Sequence, residues 1–246
     1  MKNQRIINKK VNFDFFLKPK NYIFISNKLF IPITISLIGL FIGAIYLGFF
    51  KVEGDFQQGE YYRIIYIHVP SAWICILLYS LLAIMSFIFL IYKNIFFYLI
   101  AKISAQIGIK FTILTLITGS LWGKPTWGTY WVWDARLTSV LILFFLYLGY
   151  IILDMTLESR PKAMNHSSLL AILGFLNIPI IKYSVDWWNT LHQASSITIN
   201  YNRIDEAIWL PLWLSFLGLS LYVLLIFMLK LRRLLILKKI ETFKTF

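Results

Sequence analysis

Six apolar runs, each close to the length a helix needs to cross a lipid bilayer, constrain this chain more than any other feature. A hydrocarbon core of about 30 Å takes roughly 20 apolar residues, because backbone polar groups in lipid must be satisfied within the helix itself. The runs lie near Leu29 to Phe50, Ala72 to Tyr92, Ile103 to Leu121, Leu137 to Leu153, Ser168 to Ser184 and Ala207 to Leu229. Short loops join them, and no stretch remains for a separate soluble domain. The expected fold is an all-α integral membrane protein, a bundle of about six transmembrane helices over 29–229, flanked by basic tails at 1–28 and 230–246. Charged residues make up only 14% of the 246, against roughly 25% in soluble domains.

The net charge of +13 is read through its placement. Lys2, Arg5, Lys9, Lys10, Lys18, Lys20 and Lys28 precede the first run, and Lys230, Arg232, Arg233, Lys238, Lys239 and Lys244 follow the last. By the bias of Lys and Arg toward the inner side, both termini face inside, as an even number of spans requires. Nucleic-acid binding is not expected, since the basic residues punctuate apolar runs rather than line a soluble fold. Loops at 51–71, 122–136 and 185–206 are then outside.

Cys75 is the only cysteine. It excludes an internal disulfide, a Cys-x-x-Cys redox pair and a C-x-x-C-H haem attachment site. No phosphate-binding G-x-x-x-x-G-K-[ST] loop is present, so any ATP-driven step belongs to a partner.

The same topology puts all nine tryptophans at or near the outer face, whereas an ordinary aromatic belt occupies both interfaces. The densest stretch, WGKPTWGTYWVWDARLTS over 122–139, is too polar to span. If Pro125 opens a short interfacial helix, Trp127, Tyr130, Trp131 and Asp134 share one face, and an indole platform suits a large planar ring. His68, before the second run, and His192, after the fifth, flank this platform and could approach an iron from two sides. On the residues alone, a structural histidine and a plain aromatic belt stay open as alternatives. His166 falls on the inner side. Lys110 and Lys182 fall inside apolar runs, the first about 10 Å from the inner end and the second near the outer end.

The 122–139 stretch resembles the tryptophan-rich WWD signature of membrane haem-handling proteins. With His68 before it and Asp186-Trp187-Trp188-Asn189-Thr190-Leu191-His192 after it, the chain from about Phe30 to Leu229 resembles the CcmC family of the cytochrome c maturation pathway. The resemblance implies haem b bound transiently at the outer face, with His68 and His192 as axial ligands. The platform carried over by motif is Trp122, Trp127, Trp131, Trp133 and Asp134. It further implies delivery of haem to the chaperone CcmE, whose histidine becomes covalently joined to it. The implied partners are CcmE, the small membrane protein CcmD and the ABC-type subunits CcmA and CcmB.

Such a chain is expected to be a scaffold more than an enzyme, orienting the ring and controlling the iron's ligands. Arg63, Lys124 and Arg136 are the outer-side candidates for pairing with the haem propionates, each with headgroup contact as its alternative. The expected location is a bacterial plasma membrane or mitochondrial inner membrane, with the site facing periplasm or intermembrane space. The alternative function is the membrane subunit of an ATPase-driven haem exporter.

Overall fold

The computed structural model describes residues 19–157, 159–188, 190–192 and 206–244, without the side chains of 19, 206 and 238–244. The basic residues Lys2 to Lys18, the segment 193–205 and the side chains of Lys238, Lys239 and Lys244 lie outside the described residues.

Among the described residues, seven α-helices make six spans. They are α1 (Pro19–Phe50), α2 (Ile65–Tyr92), α3 (Ile95–Trp127), α4 (Ala135–Thr156), α5 (Arg160–Gly174), α6 (Asn177–Trp187) and α7 (Glu206–Lys244), and a 3-10 turn, Glu60–Ile64, leads into α2. Among the described residues, six helical stretches are long and apolar enough to cross a membrane, the fifth being α5 and α6 together. No strand occurs among the described residues.

The fifth span is not one continuous helix. It breaks at Phe175 and Leu176, between α5 and α6. Pro179 has no N–H to return to the carbonyl four residues earlier, and its ring crowds that carbonyl, so the helix cannot pass smoothly through Phe175. Buried Asn177 sits at the break and donates from Nδ2 to the Ser139 carbonyl at 2.8 Å. A polar side chain thus ties the broken span to α4.

Helix α2 is the hub, packed against α3, α5 and α7, while α4 packs against α3, α5 and α6. Tyrosines fill much of this core. Tyr79, Tyr98, Tyr147 and Tyr150 are almost fully buried, Tyr79 and Tyr147 meet edge to face at 4.9 Å, and the Tyr147 hydroxyl donates to the Cys75 carbonyl at 2.7 Å. The first helix pairs with the last, α1 on α7. Its outward stripe, Ile31, Ile35, Ile38, Ile42 and Ile45, repeats every three or four residues, the period of one helix face.

The two ends of the bundle differ in chemistry. At the end formed by the start of α3 and the end of α4, the buried Asp154 carboxylate accepts from Lys102 Nζ at 2.7 Å and lies 3.3 Å from Arg160 Nη1. Lys230 on α7 donates to Gln106 on α3 at 2.8 Å. At the opposite end lie the starts of α2 and α7 and the ends of α3 and α6, with the tryptophans. Lys110 does not lie near the end of its helix. Because α3 begins at Ile95, Lys110 is about 22 Å along it, with an exposed side chain.

Candidate functional site

The stretch around Pro125 is built differently from the expectation of a short helix opening there. α3 runs through Pro125 to Trp127 and stops at Gly128, whose φ of 77° makes it a left-handed cap with its N–H on the Lys124 carbonyl at 3.0 Å. Residues 129–134 are non-helical, so Trp127, Tyr130, Trp131 and Asp134 do not form a helix face. Pro125 lacks the N–H that would bond Leu121, but with the helix ending two residues later that omission is tolerated. The next helix starts at Asp134, whose Oδ1 accepts from the Leu137 N–H at 2.7 Å, an N-cap for α4.

His68, in the first turn of α2, faces the end of α3. Its Nδ1 lies 3.0 Å from Thr118 Oγ1, and its ring meets the Trp122 indole edge to face at 5.7 Å. Thr118 directs its own hydroxyl proton to the Leu114 carbonyl at 2.7 Å, so its oxygen is the acceptor and His68 Nδ1 the donor. The lone pair of the neutral ring is then on Nε2. Gly119 makes the approach possible, because a methyl group there would lie 2.9 Å from His68 Cε1. One turn on, Gly123 does the same for Trp127, whose Cε3 would lie 2.9 Å from an added methyl.

His192, after α6, reaches the same place. Its ring lies 6.2 Å from the Trp127 indole, and the two histidines are close enough for the charge of one to act on the other. Two ties hold it to the start of α4. Its N–H donates to Thr190 Oγ1 at 3.0 Å, and the Thr190 hydroxyl donates to Asp134 Oδ2. Its Nδ1 lies 3.2 Å from Arg136 Nη1. Arg136 Nη2 is 3.5 Å from the Lys182 carbonyl, so at Lys182 it is the backbone that reaches this site.

Trp122 is anchored by its Nε1, which donates to Gln58 Oε1 at 2.7 Å. Trp131 and Trp133 pair edge to face at 5.5 Å, with Trp133 largely exposed. Of the three cations named from sequence, only Arg136 touches one of the paired histidines. Arg63 binds the end of α1 through the Gly48 and Val52 carbonyls, pairs with Glu60, and lies over the rings of Phe49 and Tyr62. Lys124 donates to the Gly128 carbonyl at 2.9 Å and lies over Tyr130.

The remaining tryptophans have other neighbours. Trp73 on α2 packs with Trp213 and Phe216 on α7, and Trp209 joins Trp213 edge to face. Trp187 stacks on Tyr183 and meets Trp188. Sequence reasoning missed Thr118, Gly119, Gly123, Gln58 and Thr190. The Gly119-x-x-x-Gly123 spacing, two glycines on one face of an apolar helix, and the place of Thr190 in the Asp-Trp-Trp-Asn-Thr-x-His stretch carried the local signals.

Residues 12–245 match the family model described as CcmC, heme exporter protein C. This chain belongs to the CcmC family. A putative cytochrome c biosynthesis ccmC-like mitochondrial protein of Marchantia polymorpha is 48% identical over 193 residues, 78% of this chain and 82% of that one. Heme exporter protein C of Escherichia coli K12 is 44% identical over 202 residues, covering 82% of this chain and 81% of the relative. The ccmC-like mitochondrial protein of Arabidopsis thaliana is 43% identical over 199 residues, 81% and 75% of the two chains. CcmC family members thus occur under both bacterial and mitochondrial descriptions, and the six-span architecture found here is that of a multi-pass membrane protein of this family.

Proposed function

We propose that this chain binds haem b at its tryptophan-rich end and passes it on for the maturation of c-type cytochromes. The observation that carries the reading is the meeting of His68, from α2, and His192, from beyond α6, at the end of α3, each with its ring against a tryptophan of that end, Trp122 or Trp127. Imidazole is a common axial ligand for haem iron, and indole faces suit the porphyrin. The donors also fit the cargo, because buried Trp131 Nε1 and Arg136 Nε have no partner among the described residues, and haem brings carboxylates that accept hydrogen bonds. Trp122, Trp127, Trp131 and Trp133 form the aromatic bed, and Asp134 contributes by fixing its two edges. Haem supplies the iron and its redox chemistry; the chain orients the ring and chooses the axial ligands.

In this reading the tryptophan end faces the periplasm or intermembrane space of a bacterial plasma membrane or mitochondrial inner membrane, with the basic tails inside. The receiver of the haem is the chaperone CcmE, and CcmD, CcmA and CcmB are the membrane and ATPase partners. The chain acts as a scaffold for transfer and catalyses no bond cleavage of its own. Arg63 and Lys124 remain propionate contacts only if they leave the carbonyls they hold.

A second reading makes the chain the membrane subunit of an ATPase-driven haem exporter, in keeping with the family's description as a heme exporter protein. It needs haem-contacting groups through the depth of the bundle. The layer between the histidines and the Asp154 cluster contains Tyr79, Leu82, Leu143 and Tyr147, all close-packed, which favours the relay.

The test is the absorption spectrum of detergent-purified protein beside His68→Ala and His192→Ala variants, titrated with imidazole. Low-spin haem in the wild type, lost in each variant and restored by imidazole, is the expected result. Haem binding indifferent to both substitutions would sink the assignment.

A further inference from the structure

The two histidines are held in opposite states. His68 gives its Nδ1 proton to Thr118, leaving Nε2 with the lone pair a metal requires. His192 faces a guanidinium at Nδ1, 3.2 Å from Arg136 Nη1. A guanidinium has only donors, so Nδ1 must accept, and the proton of the neutral ring then sits on Nε2. One ring nitrogen therefore carries a proton and the other has its lone pair occupied. His192 cannot coordinate iron through either nitrogen while Arg136 holds it.

Ligation by His192 consequently requires Arg136 to leave. If the ring binds through Nε2, a proton departs from Nε2 and another is taken up at Nδ1, with no net change in charge. The displaced guanidinium needs a new acceptor. Neither Asp134 oxygen is idle, one capping α4 through Leu137 and the other receiving the Thr190 hydroxyl. Asp186, within electrostatic reach of Arg136 on α6, is exposed. Arg136 Nε is already buried without a partner among the described residues, and Nη2, on the same edge of the guanidinium, reaches the Lys182 carbonyl only at 3.5 Å. Two adjacent donors in a fixed plane match a carboxylate bidentately.

Resting on the haem-binding reading, we propose that Arg136 makes axial ligation by His192 conditional on a porphyrin carboxylate. Haem enters on His68, whose tautomer is ready. A propionate then draws Arg136 off His192 Nδ1, and only then does His192 close the sixth position. The Thr190 and Asp134 tie keeps the His192 backbone in place through the exchange, so the ring alone has to change partner. Arg136 is in this sense a specificity-determining residue: it lets the second histidine engage only a ring bearing free carboxylates.

The experiment loads detergent-purified full chain with ferric haem or with ferric haem dimethyl ester, whose carboxylates are blocked, and reads the spin state by absorption and electron paramagnetic resonance. The expected wild-type result is six-coordinate low-spin iron with haem and five-coordinate high-spin iron with the ester. Arg136→Ala should become low-spin with the ester as well, because His192 Nδ1 is released. Arg136→Lys, also donor-only, should stay high-spin with the ester, and it serves as a folded control that retains the charge. Equal low-spin spectra with both ligands in the wild type would overturn the proposal, as would an ester complex that stays high-spin in Arg136→Ala. His68→Ala and His192→Ala loaded with ordinary haem separate the two failures. If both variants change the haem spectrum while the wild-type ester complex is low-spin, the histidine assignment stands and the carboxylate condition fails. If neither variant changes it, the haem reading fails and this proposal with it.

Discussion

The Thr190 hydroxyl donates to the Asp134 carboxylate, joining the segment that carries His192 to the first turn of α4. Asp134 lies within the WWD stretch and Thr190 lies 56 positions further along the chain. One side chain thereby caps a helix and fixes the approach of a proposed ligand that belongs to another span.

Removing that tie should release His192 without touching His68. In Thr190→Val, haem retention is expected to fall roughly 10- to 100-fold, the usual consequence of losing an outer partner of a metal ligand. The spectrum should shift to high spin and recover on adding imidazole, while Thr190→Ser, which keeps the hydroxyl, should resemble the wild type. An unchanged spectrum in Thr190→Val would show that His192 is positioned by other means.

Gly119 should tolerate no side chain. A methyl group 2.9 Å from His68 Cε1 must push the imidazole away from Thr118, so Gly119→Ala is expected to lose the low-spin spectrum. Gly39→Ala, with nothing within 4 Å, is the matching control in another helix and should bind haem normally. Titration of both purified variants with haem makes the comparison.

The tryptophans should divide into two groups on mutation. Trp122→Ala removes both the ring against His68 and the bond to Gln58, and is expected to weaken haem binding with little change in thermal stability. Trp73→Ala opens the aromatic contact between α2 and α7. It should lower stability by about 2 kcal/mol, below the range for a fully buried indole because Trp73 is only partly covered, and leave the haem spectrum intact. Equal effects of the two substitutions on haem binding would argue for a single continuous platform.

Asp154 should matter for stability alone. Asp154→Asn leaves Lys102 without a carboxylate in a largely buried setting, and Arg160 loses a weaker, half-exposed partner. A loss of about 3 kcal/mol is expected, at the lower end for breaking a buried pair. Thermal unfolding in detergent measures it, and the haem spectrum of the folded fraction should be unchanged.

The six spans were legible in the sequence because each is a predominantly apolar stretch of about membrane-spanning length, and lipid permits little else than a helix there. His68, His192 and the tryptophan-rich segment were legible as rare residue types in rare places. The local form of that segment was not. Proline suits the first turn of a helix, but it is also tolerated in a last turn that ends soon after, and Gly128, the left-handed cap, was the better guide to where α3 stops. The break in the fifth span was signalled by Pro179 and hidden by the apolar residues on both sides of it. Thr118, Gln58 and Thr190 act through partners 50, 64 and 56 positions away, and no periodicity in a single sequence displays such pairings. Arg63 and Lys124 carry the same charge as Arg136, and only the fold separates them by assigning each its acceptors.

Because α1 pairs with α7, the first span made is completed by the last. During synthesis α1 must wait in the bilayer with lipid where α7 will later lie, while α2 to α6 can already assemble around their tyrosines. The arrival of α7 also brings Trp209 and Trp213 to Trp73. A ribosome that stopped before residue 206 would therefore leave Trp73 without its aromatic partners, so the seam between α2 and α7 closes only once α7 has been made.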